Sequence, residues 1–255
     1  MSILKDLEEK SRLDRKSLAV LIDPDKISDL NEISKLTNMA GECYVDYFFV
    51  GGSLITQNNI SKIISLIKKS SDIPVVIFPG NNMQICTQAD AILFLSLISG
   101  RNPDLLIGQH VNVAPLLKRT SLEVIPTGYL IINDSHTSSV SYMSNTLPIP
   151  SDKHGIASAT AVAGEMLGLR VTYLDAGSGA RQAVTGRMIR KVKDSITGPL
   201  VVGGGINTMD KAVEALGAGA DVIVIGNAIE KNPDLMIEVS EKIYDMNKKK
   251  GLNIH

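Results

Sequence analysis

Apolar residues in this chain cluster in short unbroken runs that return at intervals from one end to the other. The runs are LAVLID (18–23), YFFVGG (47–52), PVVIFPG (74–80), AILFLSL (91–97), EVIPTGYLII (123–132), VTYLDAG (171–177), LVVGGG (200–205) and DVIVIGN (221–227). Runs that are apolar throughout, rather than alternating with polar residues, suit parallel strands buried on both faces. The segments between them read as helices. In residues 58–70, Ile60, Ile63, Ile64 and Ile67 fall on one stripe; residues 210–216 and 233–248 are similar, and residues 153–167 are rich in alanine. Eight strand–helix repeats predict an α/β protein, a closed TIM (β/α)8 barrel. A doubly wound open sheet is the alternative. Its G-x-G-x-x-G fingerprint after the first strand is absent, because that strand ends in Asp23-Pro24-Asp25.

A length of 255 residues fits one such barrel, so residues 1–255 are read as a single domain. One stretch breaks the rhythm. Residues 133–151, NDSHTSSVSYMSNTLPIPS, are too long and too polar for an ordinary connection and read as a functional lid or a crossover. The tail from Lys248, KKKGLNIH, is expected to be frayed and solvated. No internal repeat and no low-complexity segment is visible.

Charge and composition narrow the function classes. The formal net charge is −1 and no basic stripe is visible, which argues against a nucleic-acid partner. The two cysteines, Cys43 and Cys86, lack metal-ligand spacing and read as reduced thiols of a cytosolic protein. The N-terminus is polar and charged, unlike a signal peptide. The longest apolar run, AILFLSLIS (91–99), is half the length of a membrane span. A soluble, cytoplasmic chain without a transmembrane segment is expected, with transient contact at a membrane surface left open.

Candidate chemistry sits at the strand ends. Gly177-Ser178-Gly179, Gly203-Gly204-Gly205 and Gly226-Asn227 close the last three runs. Glycine lets backbone N–H groups approach an anion, and each turn is expected to open a helix whose N-terminus favours negative charge. In barrels the loops after the last strands commonly bind phosphate in this way; the bland alternative is three tight turns. Asp23 ends the first run, Ser53 lies just past the second, and the two can share a ligand. One carboxylate and one hydroxyl form a thin protein shell, suited to a Mg2+ ion that arrives with a diphosphate. Each is equally at home as a cap. Asp25 and Lys26 read as turn and surface residues. Asp175 stands beside the first glycine turn, where a carboxylate can take or hold a substrate proton; its alternative role is a helix N-cap. His110, His136, His154 and His255 show no spacing for a catalytic triad or for zinc.

Taken in order, LIDPDK, FFVGGS, YLDAGSGA, VVGGGI and VIGNAIE resemble the geranylgeranylglyceryl phosphate synthases. IFPGN (77–81), GRNPDLLIGQH (100–110) and EVIPTGYLII fit as well, so the resemblance runs over residues 18–230. It implies transfer of a long prenyl group, usually geranylgeranyl, from its allylic diphosphate to sn-glycerol 1-phosphate, with an ether bond formed and diphosphate released. It implies Mg2+ on Asp23 and Ser53. It implies glycerol phosphate held by Tyr173, Leu174, Asp175, Ala176, Gly177, Ser178, Gly179, Gly204, Gly205, Gly226 and Asn227, and it implies a homo-oligomer. The chain departs from the family pattern at Asp175, where many members have Glu. The side chain is one methylene shorter, and a shifted backbone or a bridging water could compensate for its reach as general base. The prenyl tail needs an apolar trough, for which Phe78, Phe94, Leu95, Ile98, Tyr129 and Ile131 are candidate walls. Two competing readings keep the same grip. One is a phosphosugar isomerase or aldolase, which needs a lysine inside the barrel or an acid/base pair flanking a carbonyl. The other is a phosphate-ligand sensor without chemistry.

Overall fold

The computed structural model describes residues 2–27, 29–56, 59–133 and 138–251. Within them eight parallel strands close on themselves in chain order: β1 (Ser17–Ile22), β2 (Tyr47–Gly52), β3 (Val75–Pro79), β4 (Ala91–Leu97), β5 (Glu123–Ile131), β6 (Val171–Asp175), β7 (Leu200–Gly203) and β8 (Val222–Ile225). The barrel closes at β1, which pairs with β2 on one side and β8 on the other. Each strand coincides with one of the apolar runs, and the fold is the expected TIM barrel.

Successive strand residues face opposite ways, and the apolar side chains accordingly form two layers. Ala19, Phe49, Val76, Leu93, Tyr173 and Val201 fill the interior. Leu18, Phe48, Val50, Ile77, Leu174 and Val202 pack outward. Against the outer layer lie α2 (Leu30–Glu42), α3 (Ile60–Ser70), α4 (Gln109–Leu117), α6 (His154–Met166), α7 (Gly186–Lys193), α8 (Met209–Gly217), α9 (Asn227–Lys231) and α10 (Asp234–Lys249). In α3 the buried residues are Ile60, Ile63, Ile64 and Ile67, the stripe read from the sequence.

The alternation of strand and helix fails once: residues 80–90, between β3 and β4, form turns and no helix. Side chains there bond the backbone locally. Gln84 Oε1 accepts from the Gly80 amide (2.9 Å) and Asn81 Oδ1 from the Met83 amide (2.9 Å), which competes with helical bonding. Cys86 and Ala89 complete the outer layer where a helix would lie.

The polar N-terminus is itself a helix, α1 (Ile3–Arg12), which closes the lower end of the barrel. Ile3 and Leu7 join the interior layer. Lys10 Nζ reaches Asp46 Oδ1 at 2.8 Å and the Tyr47 hydroxyl at 3.1 Å. At the other end, the first residues of the tail expected to fray are ordered, and residues 252–255 lie outside the described residues. Lys248 and Lys249 form the last turn of α10, and Lys250 is ion-paired with Asp14.

The long polar stretch is built in two pieces. Ile132 bridges Ile149, and between them lies the short helix α5 (Ser139–Ser144). Residues 134–137, His136 among them, and His255 lie outside the described residues. No helix among the described residues is long and apolar enough to cross a membrane.

Candidate active site

The C-terminal ends of the strands surround a cavity of about 640 Å³. Its glycine side comprises Gly179 after β6, Gly204 and Gly205 after β7, and Gly226 after β8. Gly179, Gly204 and Gly205 have φ of 71°, 76° and 70°, a conformation that side chains disfavour. A Cβ on Gly204 would stand 2.4 Å from Asp175 Oδ1, and one on Gly205 would stand 2.7 Å from the Gln182 carbonyl. At Gly204 and Gly205 only bare backbone fits. Ser178 and Asn227 add a hydroxyl and an amide to the glycine wall.

Two expectations about this wall need correction. The turns do not each open a helix: only the β8 turn runs directly into one, the five-residue α9, whereas α7 starts at Gly186 and α8 at Met209. The grip is thus a concavity of loop backbone more than a set of helix ends. The stretch Tyr173 to Gly179 also does not face the cavity throughout. Leu174 and Ala176 belong to the outer apolar layer, because strand alternation turns them away. The Ala176 amide donates to the Gly203 carbonyl (3.1 Å) and the Gly177 amide to Asp175 Oδ1 (2.7 Å). Tyr173, Asp175, Ser178 and Gly179 line the cavity.

Asp175 is buried at the end of β6. Its Oδ2 accepts from the Tyr129 hydroxyl and its Oδ1 from Gly177. Burial pushes its carboxyl above the ordinary value of 3.8, against the pull of these two hydrogen bonds. It does not cap a helix; Thr185 caps α7. Tyr129 was read from the sequence only as a tail wall, and its bond to Asp175 had no sequence signal: the two are 46 positions apart. Adjacency of β5 and β6 brings them together.

Asp23 and Ser53, at the ends of the paired strands β1 and β2, both line the cavity next to the β8 end of the glycine wall. The capping alternative holds in part for Asp23, whose Oδ1 accepts from the Asp25 amide (3.2 Å) at the start of a one-turn 3-10 helix. A Cβ on Gly52 would lie 3.1 Å from that oxygen, so the glycine keeps the carboxylate open. Asp25 turns to the β2 loop, where Thr56 donates to it from its amide (2.7 Å) and its hydroxyl (2.9 Å). Lys26 is no simple surface residue. It lines the cavity, 3.2 Å from Asp23 Oδ2. Lys231 lines it too.

The remaining wall is apolar. Phe78 stacks on Tyr173 (5.2 Å between ring centroids) and meets Tyr129 edge-on (5.8 Å). Phe94 and Leu95 follow, with Ile85, Leu105 and Val113 beyond. Two candidate walls lie elsewhere. Ile131 is enclosed in the barrel interior, and Ile98 borders a separate hollow beside α6. His110 closes this side, edge-on to Phe94 at 4.4 Å. It is buried, its Nδ1 has no partner among the described residues, and burial lowers its pKa. Val140 and Met143 of α5 cover the mouth, and Ser138 leaves no room for a side chain at Gly177.

A parallel barrel with glycine turns at the ends of β6, β7 and β8, and an acid beside them, defines a phosphate-binding TIM-barrel enzyme. A family model described as the PcrB family matches residues 11–243, and the chain belongs to that family. It is 49% identical over 247 residues to the geranylgeranylglyceryl phosphate synthase of Spirosoma linguale, covering 97% of this chain and 98% of that one. It is 51% identical over 229 residues to the enzyme of the same name from Chitinophaga pinensis, covering 90% of each. Among solved structures it is similar to (S)-3-O-geranylgeranylglyceryl phosphate synthase from Thermoplasma acidophilum in complex with its substrate sn-glycerol-1-phosphate. There the TM-score is 0.89 at 32% identity, over 96% of this chain and 99% of that one.

Proposed function

We propose that this chain is a prenyltransferase that joins sn-glycerol 1-phosphate to a long-chain allylic prenyl diphosphate, geranylgeranyl diphosphate in the first place. The product is an ether-lipid precursor, and diphosphate is released. The observation that carries this reading is a single cavity with two chemically distinct sides. One is backbone and glycine, the other aromatic and aliphatic, and Asp175 is bonded to both: to Gly177 of the glycine turn and to Tyr129 of the aromatic layer. A phosphosugar isomerase has no use for so extended an apolar wall. An aldolase of the Schiff-base kind needs a lysine desolvated as a free amine, whereas Lys26 is ion-paired with Asp23 with its side chain 36% exposed, and Lys231 is exposed.

On this reading the glycine turns, Ser178 and Asn227 fix the phosphate of the glycerol substrate, which turns encounter into near-attack geometry. Asp175 faces the attacking hydroxyl and accepts its proton as the new C–O bond forms and the bond from the allylic carbon to diphosphate breaks. A carboxylate is too weak a base to deprotonate an alcohol beforehand, so the transfer comes late, once the allylic carbon is cationic. Phe78, Tyr129 and Tyr173 flank that carbon and exclude water. Asp23 and Ser53 present only hard oxygen donors beside a bare glycine. Among the described residues no cluster of three His, Cys, Asp or Glu side chains gathers to hold a metal. That donor set fits a Mg2+ ion; Asp23 and Ser53 would hold it, and it would supply charge neutralisation of the leaving diphosphate.

The test is conversion of labelled glycerol phosphate into an organic-extractable product, run with both enantiomers, several prenyl lengths and a chelator. Extraction only with the sn-1 enantiomer, a long prenyl diphosphate and Mg2+ is expected. Turnover of a phosphosugar without diphosphate release would replace this reading.

A further inference from the structure

Lys26 stands where the two polar subsites meet. Its ammonium lies 3.2 Å from Asp23 Oδ2, donates to Asn227 Oδ1 and reaches Ser178 Oγ at 3.4 Å. The three partners come from the ends of β1, β8 and β6. Asp23 belongs to the rim proposed for the cation, while Asn227 and Ser178 belong to the phosphate wall. Asn227 Nδ2 also contacts Ser178 Oγ at 3.4 Å, so the pair forms one small polar patch under the lysine. An ammonium has three donors, and here all three have acceptors.

These contacts cannot all survive ligand binding. A divalent cation on Asp23 would lie within a few ångströms of the ammonium and repel it. A phosphate dianion seated on Ser178 and Asn227 is a stronger acceptor for it than a neutral amide oxygen or a hydroxyl. We infer that Lys26 is a positioning residue that couples the two subsites: it masks Asp23 in the empty enzyme and moves to the glycerol phosphate when that substrate binds, freeing the carboxylate for the cation. The inference rests on the proposed function above. Because coupling is reciprocal, occupancy of either subsite tightens the other. The lysine then lies between a phosphate and a metal-bound diphosphate, where it offsets their mutual repulsion.

The test needs no turnover. Mn2+ binding to the full chain is followed by electron paramagnetic resonance, with and without saturating sn-glycerol 1-phosphate and without any prenyl diphosphate. For the wild type, the Mn2+ dissociation constant is expected to fall at least about five-fold when glycerol phosphate is present, the lower end of ordinary site-to-site coupling. Lys26→Met is expected to bind Mn2+ more tightly than the wild type when glycerol phosphate is absent, and to gain nothing when it is added. Lys26→Arg retains the charge and is expected to retain coupling, which separates loss of the cation from loss of folding. Equal Mn2+ affinity with and without glycerol phosphate in the wild type, or undiminished coupling in Lys26→Met, would overturn the inference alone. Failure of glycerol phosphate to bind the wild type, read by calorimetry on the same samples, would overturn the proposed function with it.

Discussion

A carboxylate that must act as a base in a dry cavity needs its charge tolerated but not satisfied. Asp175 meets both conditions. Burial raises its pKa, which makes it a better proton acceptor, and the Tyr129 hydroxyl and Gly177 amide keep the charged form accessible. Asp175→Asn is therefore expected to lower kcat by about 10²–10⁴ while the Kd for glycerol phosphate, measured calorimetrically, changes little. The base works as the carboxylate, so activity should fall as the pH drops through a pKa raised above 3.8. Tyr129→Phe deletes a hydrogen bond that favours the charged form. Its acid limb in a kcat/KM profile should move to higher pH than that of the wild type, and a limb that stays in place would show that the hydroxyl does not tune this acid. The residue scale also limits what a sequence discloses. Asp175 and the glycines are conspicuous because few residue types can stand there. Tyr129 meets Asp175 through strand adjacency, which no spacing in the chain records, whereas Lys26 reaches Asp23 through a one-turn helix that leaves only a three-residue spacing as its signal.

Elements were legible in proportion to how completely they are buried. All eight strands lie between two apolar layers and appear as unbroken apolar runs. Helix α1 shows less, because only Ile3 and Leu7 are buried along its length. The missing helix between β3 and β4 was hidden by the regularity of its neighbours; the local bonds of Asn81 and Gln84 decide it. The anchor of α1 is equally remote from its own sequence. Glu123, at the start of β5, accepts from the Ser2 hydroxyl (2.6 Å) and from the amides of Ile3 (2.7 Å) and Leu4 (3.1 Å). Burial alone would raise this carboxyl, but those bonds hold it below its ordinary 4.5. A lowered pKa contributes stability above the unfolded-state value and loses it as the pH falls through the folded one. Glu123→Gln should therefore cost about 1 kcal/mol near neutral pH, the usual worth of a cap. In urea unfolding the deficit should shrink as the pH falls below 4.5. The glycine turns give a second test at this scale. Gly168 and Gly204 both have positive φ, 92° and 76°, but a Cβ at Gly168 meets nothing within 4 Å. Gly168→Ala should cost only backbone strain of about 1–2 kcal/mol. Gly204→Ala should also abolish glycerol phosphate binding, because its methyl group would stand 2.6 Å from the Gly177 amide and 2.7 Å from that of Ala176 and so distort the glycine wall.

Across the whole molecule the barrel divides its mouth by strand number. The ends of β6, β7 and β8 carry the glycine wall, β1 and β2 carry Asp23 and Ser53, and β3, β4 and β5 carry Phe78, Phe94, Leu95 and Tyr129. Such a division is natural in a closed barrel, where consecutive strand ends are spatial neighbours and each sector keeps its own chemistry. It also explains which site residues were misread. Leu174, Ala176 and Ile98 occur in the right segments but face the outer layer, and facing is set by strand alternation and register; Ile131 faces inward but is enclosed there, away from the cavity. The apolar sector makes a quantitative prediction. Each CH2 of a prenyl tail moved from water onto Phe94, Leu95 and their neighbours contributes about 0.8 kcal/mol before ordering costs. With glycerol phosphate fixed, kcat/KM should rise steeply from a C10 to a C15 to a C20 prenyl diphosphate. It should level off once the tail outgrows a cavity of about 640 Å³. Leu95→Asp places a charge on that wall and should reduce the gain from each added isoprene unit, leaving glycerol phosphate affinity unchanged. Rates that do not vary with tail length in the wild type would mean that the tail lies outside this sector.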